Sequence, residues 1–448
     1  MEVKSIPTFP PYVTLGVFLA LLPLTLIASV RFKDRMTLFL IAAIWLRYLM
    51  SAFHEYTFPP VVIGLSLNAL ASVAVIGIAF VIADWRLFGL KGLAGIYLVI
   101  IVLMFSSIIN GGAEAIGSLA KWGYLAVLTI MAYGALRRHG SKALFQALLT
   151  VFLAPLTLQV LSVLMGIGKE SESDGSICFI GGYNHEGAFS ILILTFLYCA
   201  CFLEPNRPKL ALACIPIALA ALLLANYRTT ILAAVPVLVA VIFFGTIRRF
   251  SPRDRPVVVI VVALAGAIVL YAAGLAMQER FSDLWTVLSN AGNLIKPPEY
   301  YTDEEADLLS GRLTLWSRFI TAYLNGSITN LAIGFGPESW RQISPMYAHN
   351  SFVSAPYEAG VFGLVSMVLL FAWNFKLALK AIWHRRPLII AAHVGFLVLN
   401  LATMGFWQIE GNVLLSLTLA YTLYAQAPRQ VLGSDLQWKV SVGSGGDY

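Results

Sequence analysis

The chain has 448 residues, of which 59% are hydrophobic and 12% charged, with a mean hydropathy of +0.81 and a formal net charge of +7. A soluble domain is roughly 45–50% apolar, so this composition excludes one and defines a polytopic membrane protein. A closed β-barrel is excluded as well, because its strands alternate in and out over about ten residues whereas the apolar runs here are continuous.

In chain order, apolar runs of about 17–25 residues, long enough to cross a hydrocarbon core of about 30 Å as helices, lie near 11–30, 36–52, 61–83, 93–109, 115–136 and 143–167. They continue near 188–203, 209–226, 229–246, 256–276, 359–376, 387–405 and 411–425. The expectation is an all-α protein of about thirteen transmembrane helices, within a range of about 12–14. Several runs contain glycine or proline, which bundled helices tolerate. The first run lacks a basic leader and a small-residue cleavage site, so it reads as a retained helix.

Lys and Arg collect in "RFKDR" (31–35), "RRHGSK" (137–142), "IRRFSPRDR" (247–255) and "HRR" (384–386), which all fall on one side when helices are counted. Short loops rich in these residues stay cytoplasmic. The opposite connections, "HEYTFPP" (54–60), "NGGAEA" (110–115), "KESESD" (169–174) and a long stretch from about 277 to 358, are then outside. The expected organisation is an N-terminal bundle over 1–276, an outer loop domain over 277–358, C-terminal helices over 359–425 and a cytoplasmic tail over 426–448. The basic loops account for the excess charge, so no nucleic-acid partner is implied. Cys199, Cys201 and Cys214 lie in or beside helices and Cys178 in an outer loop, so no structural disulfide is expected.

Three cations defy this charge pattern. Arg47, Lys121 and Arg228 sit toward the outer ends of apolar helices. An ionisable residue at membrane depth is costly and marks a functional-site hypothesis; the alternative is that each snorkels to the headgroups. Arg228 is the stronger case, held in a very short connection between two apolar runs. Three such cations suggest an anionic lipid headgroup, and a diphosphate suits the donor fork of Arg.

A structureless loop of the length of 277–358 is improbable, so a folded cap is expected. Within "DEEADLLSGRLTLWSRFITAYL", Leu308, Leu309, Leu313, Trp316, Phe319, Ile320 and Tyr323 recur at helical spacing, with Arg312 and Arg318 off or beside the stripe. This predicts one amphipathic helix lying against the membrane surface. The acidic residues Asp303, Glu304 and Glu305 suit a helix start better than a metal site. Gly334 and Gly336 free the backbone for close approach, to a ligand or to itself.

Gly311-Arg312 followed by Trp316, then Gly334-Phe335-Gly336, His349-Asn350 and Glu358-Ala359-Gly360 leading into a helix with Gly363, resembles the signature region of the O-antigen ligase and O-antigen polymerase superfamily. Arg228 is similar to the family's earlier arginine, with Tyr227 where its pattern carries a small hydroxyl residue. The resemblance is specific from about 220 to 375.

What the resemblance implies is a GT-C-like, metal-independent glycosyltransferase of the bacterial inner membrane, with its site facing the periplasm and no cofactor. Its donor would be an oligosaccharide on undecaprenyl diphosphate, and its acceptor a sugar hydroxyl on a lipid-linked repeat unit or on lipid A-core. Beyond membrane lipids, a chain-length regulator or a flippase would be its protein partners. Arg228 and Arg312 would stabilise the leaving diphosphate, since preorganised cations in a water-poor site replace a metal. His349 would serve as general base, an imidazole of pKa near 6.5 being suited to that at neutral pH. His185 and Glu186 in "GGYNHEG" would meet acceptor sugar or merely cap a helix; Arg318, Arg341, Asn350 and Glu358 are further candidate contacts. The expected activity is that of a repeat-unit polymerase for an O-antigen or exopolysaccharide; the alternatives are an O-antigen ligase and, from another class, a lipid-linked glycan transporter or flippase, although no internal repeat of the transporter kind is visible.

Overall fold

The computed structural model describes residues 8–426 apart from 63, 112–114, 171–174 and most of 277–295. The expected tail beyond 426 and the first part of the expected loop domain lie outside the described residues.

The N-terminal bundle runs through α1 (Pro11–Ser29), α2 (Arg35–Ala52), the single turn α3 (His54–Thr57), α4 (Leu67–Ile82) and α5 (Ala94–Asn110). It continues with α6 (Ala115–Val151), α7 (Leu153–Leu164), α8 (Glu186–Leu203), α9 (Pro208–Ala225), α10 (Arg228–Arg249) and α11 (Arg255–Ala276). The cap contributes α12 (Asp303–Asp307), α13 (Arg312–Leu324) and α14 (Ile328–Ile333). The chain then returns through α15 (Ser351–Leu379), α16 (Arg386–Ala402) and α17 (Ile409–Tyr424). Among the described residues, eight stretches are long and apolar enough to span a membrane, with α4 and α16 as shorter apolar helices. The Ala115–Leu164 stretch, 50 residues long, turns at Gly140 (φ 75°). With that break counted, every apolar run of the sequence contains a helix or helix half. This is an all-α polytopic membrane protein.

Local chemistry sets the helix ends. Asp34 accepts from the Thr37 amide and Ser66 from the Ala69 amide, each satisfying an orphan N–H of a first turn. Asn226 takes the left-handed conformation (φ 54°) that closes α9, so only Asn226 and Tyr227 separate it from α10. The start of the apolar run near 61 is not helical. Pro60–Val62 (β1) and Leu65–Ser66 (β2) form a small antiparallel ribbon, and Lys169–Glu170 (β3) pairs with Ile177–Cys178 (β4).

α8 and α17 are buried along nearly their whole length, which makes them the centre of the bundle. α6 lies along α17, α10 along α16, and α15 along α5. None of the four cysteines forms a disulfide, and all are buried, Cys178 included.

The cap has its own small core of Leu315, Phe319, Trp340, Ala348, Tyr357 and Met404. The expected continuous amphipathic helix is broken. Thr302 and Glu305 form a capping box that starts α12, and Glu305 pairs with Lys296 at 2.6 Å. Leu309, Ser310 and Gly311 then take φ of 52°, 59° and 75°, a left-handed run that no helix can contain. The helix restarts at Arg312. Its buried residues are Leu315, Ser317 and Phe319, of which Phe319 alone belongs to the predicted stripe; Leu315 and Phe319 join the cap's core, where Phe319 meets Tyr357 edge-on at 5.2 Å. Ile320 and Leu324 stay exposed.

Two glycines lock the cap to the bundle. Gly334 (φ 74°) and Gly360 (φ 66°) lie where the α14 end crosses the α15 kink. A Cβ on the first would overlap the Glu358 and Ala359 backbone, and on the second the Ala332 carbonyl. Close contact lets the Phe335 amide donate to the Tyr357 carbonyl (2.9 Å) and the Gly336 amide to that of Glu358 (3.0 Å). The backbone approach these glycines permit is therefore to the chain itself.

Candidate active site at the capped end

Every predicted site residue lies at the capped end of the bundle, but they form two adjoining groups and their roles divide. The first is built around α13, the connection before α15, and the α8 and α10 N-termini.

His349 has φ 52° and lies two residues after Tyr347, whose ring packs tilted against the imidazole at 4.2 Å between centroids. Its Nδ1 is buried with no hydrogen-bond partner among the described residues. The imidazole is held down at about 3 from its ordinary 6.5, first by desolvation, then by the Arg312 guanidinium and His185, with Glu186 pulling the other way. The expectation of an unperturbed imidazole is thereby corrected: burial among cations keeps this ring neutral at any physiological pH.

Arg312 is the first residue of α13, aimed by Gly311 at the N-cap. It also acts on Tyr227 and Tyr347, whose hydroxyls burial pushes up while Arg312 pulls them back. Among the described residues Arg312 makes no ion pair. Arg228 stands half-buried at the α10 N-terminus, next to Tyr227. The Tyr227 hydroxyl bonds Thr403 at 3.0 Å, and its ring meets His185 edge-on at 6.4 Å.

His185 caps α8, its Nδ1 accepting from the Gly187 amide at 2.9 Å. Glu186 is buried and paired with Lys169 at 3.0 Å. Asn350 caps α15 by accepting from the Phe352 and Val353 amides, so its carbonyl is committed to structure. Glu358 is buried; its carboxylate accepts from Ser354 at 2.9 Å and its backbone carbonyl from Ser106 at 2.8 Å. Neither side chain is presented to solvent. Arg318 is exposed on α13.

The second group holds two of the three cations expected at membrane depth, Arg47 and Lys121, each with a carboxylate partner. The Arg47 Nε and NH2 each lie 3.2 Å from Glu410 Oε1, which also accepts from Ser51 at 2.9 Å, and Arg47 NH1 donates to Asn68. Lys121 lies 3.7 Å from Glu338 and 3.3 Å from the centroid of the Trp407 ring. Arg341, largely exposed, pairs with Glu338 at 3.4 Å. For Arg47 and Lys121 burial demanded these partners, because an unpaired charge taken out of water is too costly to keep. Together they border a cavity of about 490 Å³ between α2, α4, α6 and the ends of α8 and α17.

Lys169, Glu338, Tyr347, Trp407 and Glu410 are the residues that sequence reasoning passed over. Glu410 carried a usable signal, being an acid in the first turn of an apolar helix, the same anomaly that singled out Arg47. Glu338, at φ 66° in a turn, carried none.

Fold and site together define a multi-pass membrane protein whose polar groups gather under a folded cap at one end. Residues 213–368 match the family described as O-Antigen ligase, a segment that contains Arg228, Arg312, His349 and Glu358. The likeness to the O-antigen ligase family is carried by this segment of the 448-residue chain. Comparison with curated proteins gives no match.

Proposed function

We propose that this protein transfers a glycan from undecaprenyl diphosphate to an acceptor sugar hydroxyl at its capped, periplasmic end, as a repeat-unit polymerase of the bacterial inner membrane. The observation that carries this reading is the meeting of an Arg312 guanidinium uncommitted to any described carboxylate with a neutral, desolvated His349. In the proposed step the diphosphate oxygens lie on Arg312 and Arg228. With hydrogen on Nδ1, His349 presents the Nε2 lone pair to the acceptor O–H and takes its proton as the oxygen bonds the anomeric carbon. The bond from that carbon to the diphosphate breaks, and the two guanidiniums hold the charge that develops on the leaving group. Tyr347, packed on the imidazole, fixes its plane.

The test is reconstitution of purified protein with the source bacterium's lipid-linked oligosaccharide. A ladder of products supports polymerisation. Transfer of one block to lipid A-core makes the protein a ligase with the same site, and relocation of lipid without a new glycosidic bond refutes the transferase reading.

A further inference from the structure

The cavity beside the His349 group is not used by the step above. At about 490 Å³ it lies within the roughly 300–1,000 Å³ of small-ligand sites. Three cations border it, Arg47, Lys121 and Arg341, against two carboxylates, Glu338 and Glu410, leaving a net charge of one positive. Each of these cations is already paired. A diphosphate would find little unspent positive charge here. A ring of hydroxyls would find fixed donors and acceptors whose desolvation has been met, together with the Trp407 indole, kept in place by Lys121 on its face.

The cavity also leads to the base. Trp407 stacks on Tyr347 at 6.1 Å, Tyr347 lies 4.2 Å from His349, and His185 both lines the cavity and acts on the His349 imidazole.

We propose that this cavity binds the terminal sugars of the acceptor glycan, neutral or singly acidic hexoses, apart from the diphosphate site at Arg312. The proposal rests on the transferase reading only for the word acceptor; the cavity's taste for sugar follows from its paired charges, its amide and hydroxyl groups and its indole. A donor enters from the Arg228 and Arg312 side, and an acceptor hydroxyl at the cavity mouth faces the same imidazole.

The probe is the repeat-unit oligosaccharide freed from its lipid by mild acid, which carries no diphosphate. Binding to detergent-solubilised wild type is read by saturation-transfer NMR, and compared with Ala69→Trp and Ala120→Trp, two cavity-lining positions where an indole would fill the space. Oligosaccharide affinity should fall about tenfold or more in both, with undecaprenyl diphosphate binding and detergent melting temperature near wild type. In turnover the acceptor KM should rise while kcat at saturation is spared. Unchanged oligosaccharide binding in the filled variants, or loss of undecaprenyl diphosphate binding instead, overturns the proposal. If either filled variant fails to fold, Trp407→Phe decides, with a fall of about threefold expected and no change overturning it. Oligosaccharide binding without any turnover would sink the transferase reading and leave the cavity assignment standing; turnover indifferent to the fillings would do the reverse.

Discussion

Acidifying the wild-type protein from pH 7 to pH 5 should remove about 2 kcal/mol of stability through His349 alone. The imidazole sits at about 3 when folded against an ordinary 6.5. Because the folded value is the lower one, the unfolded chain binds the extra proton between the two, so stability is intact above pH 6.5 and falls as pH drops toward 3. Well inside that window each pH unit is worth ~1.4 kcal/mol; from pH 7 to 5, where the unfolded-state imidazole is titrating over the first part, the sum is ~2 kcal/mol. The comparison is with His349→Asn, chosen because φ at this residue is 52° and Asn tolerates the left-handed region. Denaturant unfolding of both proteins at pH 7, 6 and 5 should show the wild type losing ~2 kcal/mol more than the variant. Parallel losses would refute the buried, neutral imidazole. The same burial predicts kcat/KM flat from pH 5 to 8, since this profile reports the free protein. A diphosphate on Arg312 would offset the second cause of the shift, so the acid limb of kcat should lie at higher pH than that of kcat/KM.

Lysine at Arg312 or Arg228 should fail to restore undecaprenyl diphosphate binding lost in the alanine variants, because a point charge does not replace the planar fork, and chelator should leave wild-type turnover unchanged; Lys rescue would argue for simple charge. Glu410→Ala should cost about 3–5 kcal/mol by leaving Arg47 buried and unpaired, whereas Arg47→Met with Glu410→Leu should recover most of it, as read by unfolding in a double-mutant cycle. Ala at Gly334 should detach the cap, exposing 300–350 to protease, while Gly77→Ala, which meets nothing within 4 Å, should be silent; equal behaviour would refute the backbone lock. Ile328→Cys, 86% exposed on the cap, should label from outside intact spheroplasts and Ser251→Cys only after permeabilisation. The reverse pattern would put the site on the wrong side for its donor.

The membrane-spanning helices were legible because lipid forces a simple code: a continuous apolar run with its backbone bonds closed internally. α4 is the instructive exception, its run beginning at 61 but its helix at Leu67, because Pro60 and Gly64 favour a ribbon turn. The cap was legible as folded but not in its register. Glycine at 311 showed freedom to turn, yet Leu309 and Ser310 are left-handed too, a conformation L residues disfavour and no local pattern announced.

For the site, residue type was readable and pairing was not. Arg47 stood out as a cation at membrane depth, but the carboxylate that neutralises it comes from Glu410, 363 residues away, and Lys121 finds its acid in a cap turn. The contrast this creates is itself informative. A protein that pays to bury four charges in matched pairs around one cavity, yet leaves Arg312 without a described carboxylate beside a neutral histidine, has two different uses for cations. Matched pairs fix a cavity whose polar groups are directional and weakly charged, which suits hydroxyls. An uncommitted guanidinium keeps its charge for an anion that arrives with the substrate and leaves with the product, and such a group must stay unpaired to work repeatedly. On the proposed reading, the separation of these two kinds of cation along one end of the bundle would let donor and acceptor approach His349 from different sides.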